Sequence, residues 1–381
     1  MRTKAIIHLD RFVNNLEAVK TRIGSKRYVC VPVKADAYGH GAVQIAKTSL
    51  KAGAYCLGVA AVSEGMELRK AGITAPILLF SNPSPDEIQD LIKADLTPFV
   101  SDDEFAAVLN DAAKSAKTDI SVHLKIDTGM GRIGCAPKNA LSLARQIAKY
   151  PKLKLTGTAT HLAVSDSAKI PDIEFTKKQL ARFNKTVNEL RNVRINPGIV
   201  HAANSGAVIL HPDAWLDMVR PGILLYGYKA VQEIEAPIKQ LKKLKKYKAI
   251  TAEPVMELIT SVSLIKKIKK GETVSYGRTW TAPDNTNIAV LSIGYADGLP
   301  RLASNTWQAI IGGEAYPLVG RICMDQCCVD LGKKTTVKRW DEAVIFGGSA
   351  PSAAELAKTA ATIPYEITCA VNKRVPKVYT Q

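Results

Sequence analysis

The chain has 381 residues, 46% hydrophobic and 23% charged, with 52 Lys+Arg against 35 Asp+Glu and a formal net charge of +17. That length suggests two domains at roughly 100–200 residues each, and no apolar run is long enough to span a bilayer. The basic start has no sustained apolar core, which argues against a signal peptide, and seven scattered cysteines form no disulfide framework and point to a reducing cytoplasm. From Val29 to Gly227, short β-rich runs alternate with longer helical patterns. Strands are expected at Tyr28–Val33, Tyr55–Ala60, Ile77–Phe80, Leu96–Val100, Ile120–Ile126, Leu153–Thr160, Ile199–Ala202 and Val219–Tyr226. Helices are expected at Ala42–Leu50, Ser63–Lys70, Ser101–Lys114, Lys138–Lys149 and Asp172–Asn192. This alternation points to a TIM (β/α)8 barrel, although a doubly wound sheet gives the same pattern.

The pattern changes after the basic run Lys239–Lys248, which reads as a solvated amphipathic helix or loop. Pro254–Ile265, Asn287–Ile293, Trp307–Ile311, Tyr316–Arg321, Cys327–Leu331 and Glu342–Phe346 read as strands separated by Gly, Pro, Asp and Asn turns. A helix follows at Ala353–Ala361. The expected division is a barrel over 1–245 and a mostly-β domain over 246–381. The charge surplus raises nucleic-acid binding as an alternative, but no aromatic platform, helix-turn-helix or zinc pattern accompanies it. A field that draws in small anionic ligands is the other reading.

Several motifs carry chemistry. In Val31-Pro-Val-Lys-Ala-Asp-Ala-Tyr-Gly-His-Gly41, Lys34 falls at the carboxyl end of an expected strand, where α/β folds place their reactive groups. A lysine that loses solvation there loses basicity and can act as a nucleophile or Schiff-base partner. Gly129-Met-Gly-Arg-Ile-Gly134 formally matches a dinucleotide fingerprint, but the acidic residue needed about 20 positions later is missing, so the dehydrogenase reading is rejected. No G-x-x-x-x-G-K-[ST] loop is present. Cys323-Met-Asp-Gln-Cys-Cys328 lacks the spacing of a C-x-x-C pair, and no second ligand pair lies nearby, so no metal is expected.

The Lys34 stretch closely resembles the pyridoxal-phosphate lysine motif of bacterial alanine racemases. The resemblance continues in order through Lys125–Gly134, Thr160-His-Leu162, Ala203-Asn-Ser205, Val219–Gly227, Ser275–Thr279, Ile293–Gly298, Gly320–Asp325 and Pro364-Tyr-Glu366, over more than 330 residues. It implies the barrel, with a strand around Ile6–Leu9 able to join the second domain. It also implies pyridoxal 5′-phosphate as cofactor, bound through Lys34. Arg220 would donate to the pyridine nitrogen, with His161 supporting that arginine. Tyr38, Asn204, Ser205 and Tyr365, with the amides of Gly222 and Ile223, would hold the phosphate. Arg132 would meet the substrate carboxylate and the cofactor O3′. Lys125 matches a position carbamylated in many members, where an anion would orient Arg132.

Two further residues, Tyr276 and Met324, are implied to act from the partner subunit. Tyr276 would be the base opposite Lys34, and the Met324 amide would touch the substrate carboxylate. The implied whole is a homodimer with shared active sites that interconverts L- and D-alanine for peptidoglycan synthesis by a two-base mechanism, with neither nucleic acid nor membrane as partner. Serine or broad-specificity racemases share most of these motifs. A non-catalytic pyridoxal-phosphate carrier would lack the β domain and the opposing tyrosine.

Overall fold

The computed structural model describes residues 2–229 and 250–381, so the basic run at 239–248 lies outside the described residues. The chain divides into two compact units. One comprises Val13–Ala37 and Ala42–Ala252; the other comprises Met1–Phe12, Tyr38–Gly41 and Glu253–Gln381.

Strand β1 (Thr3–His8) opens the chain and belongs to the second of these units. The first unit is a closed parallel barrel of β2 (Tyr28–Pro32), β3 (Cys56–Val59), β4 (Ile77–Leu79), β5 (Leu96–Val100), β6 (Ile120–Lys125), β7 (Leu153–Ala159), β8 (Ile199–His201) and β9 (Met218–Val219). It closes where β2 pairs β9 through Tyr28–Met218 and Val29–Val219. The sequence alternation therefore resolves as a barrel rather than an open sheet. Its interior is filled by short apolar strands; all three residues of β4 are buried, and so are all four of β3.

Helices cover the barrel by ordinary amphipathic logic. In Pro137–Lys149 a proline opens the helix, and Ala140, Leu143, Ala144 and Ile147 are buried at the i, i+3, i+4, i+7 spacing of one face. Asp102 caps the helix Asp103–Ser115 by accepting the Phe105 amide at 2.8 Å.

Two differences from the expected elements stand out here. The strand expected over Val219–Tyr226 is confined to β9, and the rest is a buried turn. Pro221 has no amide for a ladder, and Leu225, Tyr226 and Gly227 donate instead to Gly222, Ile223 and Leu224 within the turn. No element is predicted over 10–27, yet the structure has a helix at Leu9–Ile23, with Phe12, Leu16, Val19 and Ile23 forming its buried stripe.

The second unit is mostly β. Its spine is β10 (Met256–Ile268), which pairs antiparallel with β1, with β13 (Thr286–Leu291) and with β17 (Glu342–Phe346). Register shifts at Leu258/Ile259 and Val262/Leu264 bend it, so that it serves different neighbours along its length. The sheet is completed by β14 (Gln308–Ile311), β15 (Glu314–Pro317), β16 (Cys327–Gly332) and β18 (Lys377–Thr380); β11 (Thr273–Val274) and β12 (Trp280–Thr281) form a separate pair. The strand expected at Tyr316–Arg321 sits earlier, as β15. Gly312 and Gly313, at φ 59 and 87, turn β14 directly into it through a two-residue hairpin, and that turn sets its register. No helix among the described residues is long and apolar enough to cross a membrane.

Candidate active site

The residues with chemical potential in the barrel gather where its strands end. Lys34 lies two residues beyond β2 and is half-buried. Directly after it, Ala35, Asp36, Ala37 and Tyr38 all adopt left-handed backbone, with φ between 51 and 55. For L-residues this conformation costs roughly 1–2 kcal/mol each, so the turn needs external support. Ala37 N–H donates to Val33 O at 2.8 Å, Asp36 Oδ1 accepts from Ala42 N–H at 2.8 Å, and Ala35 N–H donates to Glu64 Oε1 at 2.6 Å.

Arg220 immediately follows β9 and is buried. Its guanidinium donates to Thr160 O at 2.8 Å, Ala202 O at 3.2 Å and His201 Nδ1 at 2.6 Å, and stands 3.4 Å from His161 Nδ1. Burial lowers Arg220 to about 10, so it remains protonated at neutral pH.

The bond to His201 fixes a tautomer. A guanidinium only donates, so His201 Nδ1 must be the accepting nitrogen and Nε2 carries the proton. That proton faces His123 Nδ1 at 2.9 Å, which leaves the His123 proton on its own Nε2. Burial and then Arg220 hold His123 at about 3, and the same causes depress His201 and His161, so all three rings are neutral. The His123 ring also stacks on Phe99. Neither His123 nor His201 is singled out by the sequence reading. The available signal was an isolated histidine in each of two apolar barrel strands.

Ser205 and Asn204 sit at the start of the short helix Ser205–Leu210. Ser205 Oγ accepts from Gly222 N–H at 2.8 Å and Leu224 N–H at 3.3 Å, so it shapes the turn that carries the Gly222 and Ile223 amides. Asn204 has a structural task. Its Oδ1 accepts from Ala207 N–H and Ser165 Oγ, and its Nδ2 donates to Leu162 O.

Lys125 ends β6, is buried, and donates to Ile133 O at 3.2 Å. Burial, with Arg220 next, lowers it to about 7. Arg132 is exposed on the loop that follows. The loop is shaped by the Asp127 carboxylate, whose Oδ1 gathers the amides of Gly129, Met130 and Gly131. Burial alone would raise the Asp127 carboxyl, but those three amides, with Lys125, bring it below its ordinary value. The positive charges of Arg220, Lys125, Arg132 and Lys34 all bear on His161. This end of the barrel is therefore a concentrated field for anions.

Tyr38, Tyr276, Met324 and Tyr365 belong to the β unit. The rings of Tyr38 and Tyr365 lie 5.9 Å apart, tilted by 49°. Gly39 and Gly41, both at positive φ, fit beside them: a Cβ on Gly39 would come 2.0 Å from Thr368 O, and one on Gly41 would come 1.9 Å from Tyr379 Oη. Tyr276 is 71% exposed and Met324 is 53% exposed. They are tied together through Ser275, whose Oγ donates to Arg321 O and lies 3.4 Å from Cys323 Sγ. Arg374 braces the same region by donating to Asp297 and Asp325, each at 2.8 Å, while Asp297 Oδ2 accepts from Gly294 N–H. Met324 O accepts from Ala296 N–H at 3.0 Å. The structure thus gathers Lys34, Lys125, Arg132, His161, Asn204, Ser205, Arg220, Gly222 and Ile223 on one unit, and Tyr38 with Tyr365 and Tyr276 with Met324 on the other.

The chain matches the family model "Alanine racemase, N-terminal domain" over residues 7–230 and "Alanine racemase, C-terminal domain" over residues 255–379. It is 50% identical to the alanine racemase of Treponema denticola, covering 99% of this chain and 98% of that protein. It is 44% identical to the alanine racemase of Treponema pallidum, covering 99% and 98%. Among solved structures it is similar to the alanine racemase of Clostridium difficile, with a TM-score of 0.92 at 35% identity over 100% of this chain and 96% of that one. It is also similar to the alanine racemase from Bacillus anthracis with bound L-Ala-P, with a TM-score of 0.88 at 31% identity over 100% and 95%.

Proposed function

The chain belongs to the alanine racemase family and is an isomerase, and on that premise we propose that it interconverts L-alanine and D-alanine with pyridoxal 5′-phosphate as its resident cofactor. We further propose a cytoplasmic homodimer with shared sites that supplies D-alanine for peptidoglycan.

The observation that carries the cofactor assignment is the donor set at the barrel's strand ends. An amine at Lys34 suits an aldehyde. A guanidinium at Arg220 that is protonated at neutral pH, oriented by neutral His201, suits a ring nitrogen. The hydroxyl of Ser205 and the adjoining Gly222–Leu224 turn suit a phosphate dianion without a Walker loop. When bound, the cofactor supplies an aldehyde that condenses with amines and a conjugated ring that delocalises the electron pair left at Cα.

The chain's own residues do the rest. Lys34 would hold the cofactor aldehyde through its amine, and that amine would serve as the base on one face of Cα. Tyr276 of the partner subunit is the base on the opposite face; one group removes a proton while the other delivers one, as inversion requires. Arg220 offers a hydrogen bond and no mobile proton near neutral pH, which restrains full carbanion chemistry and favours racemisation over transamination. His161 supports it. Ser205, Tyr38 and Tyr365 hold the phosphate with the Gly222 and Ile223 amides, and Asn204 anchors the segment that presents Ser205.

Arg132, with the Met324 amide of the partner subunit, orients the substrate carboxylate through the geometry a guanidinium fork provides. Lys125, held at about 7, has an appreciable neutral fraction at physiological pH. Its amine can attack carbon dioxide, forming an N–C bond and releasing a proton, and the resulting carbamate would orient Arg132.

The experiment is chiral chromatography of purified protein incubated with pyridoxal phosphate and L-alanine, with L-serine and L-lysine in parallel. Fast, dominant formation of D-alanine is expected. No D-alanine, or equal turnover of lysine, would overturn the substrate assignment.

A further inference from the structure

Glu64 lies on the third residue of the helix Val62–Lys70, half-buried, and its carboxylate divides its two oxygens between two loops. Oε2 accepts from Ala60 N–H at 2.7 Å and Ala61 N–H at 3.1 Å, the two amides that lead into the helix. The residue preceding the helix is Ala61, which has no side-chain oxygen to offer the first helical amides, so only the half of a capping box in which Glu64 reaches back to the Ala61 amide is present. Oε1 reaches out of the helix to accept from Ala35 N–H at 2.6 Å, a short, charge-assisted bond to the residue next to Lys34.

Ala35 is exposed, so water could satisfy its amide equally well. What water cannot supply is a conformational preference. Ala35 is the first of the consecutive left-handed residues Ala35–Tyr38, none of them glycine. Chirality pushes such a turn back toward ordinary backbone. A carboxylate anchored on a helix by two other amides resists that relaxation because it fixes where the Ala35 amide must point. Asp36, through Ala42 N–H, holds the far side of the same turn.

We propose that Glu64 is a positioning residue for Lys34: it clamps the left-handed turn at Ala35 and thereby fixes the direction from which the lysine amine leaves the end of β2. The proposal rests on the reading of Lys34 as the cofactor lysine. No metal, redox step or additional ligand is involved.

Glu64→Asp separates the two tasks. A shorter carboxylate can still take the amides of its own helix start but no longer reaches Ala35. Ala35→Gly supplies the counter-test, because glycine occupies left-handed backbone without a Cβ penalty and so removes the need for the clamp. Full-length wild type, Glu64→Asp, Glu64→Gln, Ala35→Gly and the double variants are compared in two measurements. The first is hydrogen exchange of the residue-35 amide. The second is borohydride trapping of pyridoxal phosphate on Lys34, mapped by peptide mass.

In Glu64→Asp the amide should exchange at least tenfold faster and half-maximal trapping should need at least fivefold more pyridoxal phosphate, while the melting temperature stays within a few degrees of wild type. Adding Ala35→Gly should recover more than half of the trapping. Wild-type exchange and trapping in the folded aspartate variant overturns the proposal. So does a loss that Ala35→Gly fails to recover, because that is the signature of a helix cap alone. If Glu64→Asp does not fold, Glu64→Gln is read in the same way, since one amide oxygen cannot serve both loops. If wild type itself is not labelled at Lys34, the cofactor reading fails, and the residue-35 exchange still decides whether Glu64 holds the turn.

Discussion

Three residues carry predictions of their own. Lys125 is buried, and burial followed by Arg220 lowers it from 10.5 to about 7. In the unfolded chain the same amine keeps its proton to about 10.4. Between those values the unfolded state binds more protons than the folded one, so this lysine makes stability rise with pH from about 7 to about 10.5. Below about 7 it is charged in both states and its burial cost is complete, roughly 5 kcal/mol at most. In cofactor-free protein and carbon-dioxide-free buffer, Lys125→Met should therefore gain most over wild type near pH 6.5, and the gain should shrink toward pH 10. Parallel melting profiles would show that Lys125 titrates normally. The second prediction concerns the two faces of Cα. Lys34→Ala should abolish covalent cofactor attachment, while Tyr276→Phe should mainly block proton removal from L-alanine. Thermodynamics ties kcat/KM in the two directions together, so the asymmetry has to be sought in exchange without inversion. In D2O, Tyr276→Phe should deuterate D-alanine at Cα at least tenfold faster than L-alanine. Equal rates would remove Tyr276 from its role as the L-side base.

At the scale of elements, the meeting of β6 and β7 shows how backbone makes room for the arginine network. Their register shifts between Val122 and His123, and Gly157 lies opposite the shift. A Cβ on Gly157 would stand 2.5 Å from the His123 ring. Glycine inside a strand often marks such a close approach. Gly157→Ala should push the ring away from His201, cost about 1–3 kcal/mol by overpacking, and raise the pyridoxal phosphate concentration needed to load Lys34. An unchanged urea midpoint with unchanged loading would show that the ring has room to move. The same region marks the limit of what the sequence discloses. Seven of the barrel strands are legible because β-branched and apolar runs end where turn residues begin, and Lys34 and Arg220 are legible because motifs frame them. Val219–Tyr226 is misread because a buried turn is as apolar as a buried strand, and periodicity cannot separate the two. Leu9–Ile23 escapes even though Phe12, Leu16, Val19 and Ile23 mark a helical face. The left-handed turn at Ala35–Tyr38 is illegible for a different reason: alanine, aspartate and tyrosine do not announce positive φ as glycine does, and one of the bonds it makes, from Ala35 N–H to Glu64, joins residues 29 positions apart. His123 and His201 are hidden likewise, since their pairing depends on which barrel strands bring them together.

At the scale of the whole molecule, the placement of the proposed machinery on two separate units sets a test of assembly. Lys34 and the groups around Arg220 belong to the barrel unit, whereas Tyr276 and Met324 belong to the β unit and are largely exposed there. Exposed large apolar and aromatic side chains are what a protein–protein surface uses. A closed two-fold dimer would give each barrel the partner's tyrosine and create two equivalent sites. In that case Lys34→Ala and Tyr276→Ala homodimers are each inactive, since every site in either lacks one base. Mixed subunits behave differently. In a hybrid dimer one site combines the intact Lys34 of one subunit with the intact Tyr276 of the other, and the second site lacks both. Random reassortment of equal amounts makes about half the dimers hybrids, each with one working site of two, so about a quarter of wild-type activity should return. The recovery should appear only after the dimers have been dissociated and allowed to re-form together, and it should track the hybrid fraction measured by native mass spectrometry with one subunit mass-tagged. If each site were built within one chain, no hybrid could contain an intact pair, and the mixture would stay as inactive as its parents at every hybrid fraction. The fraction of activity recovered therefore decides whether the two bases come from one chain or two.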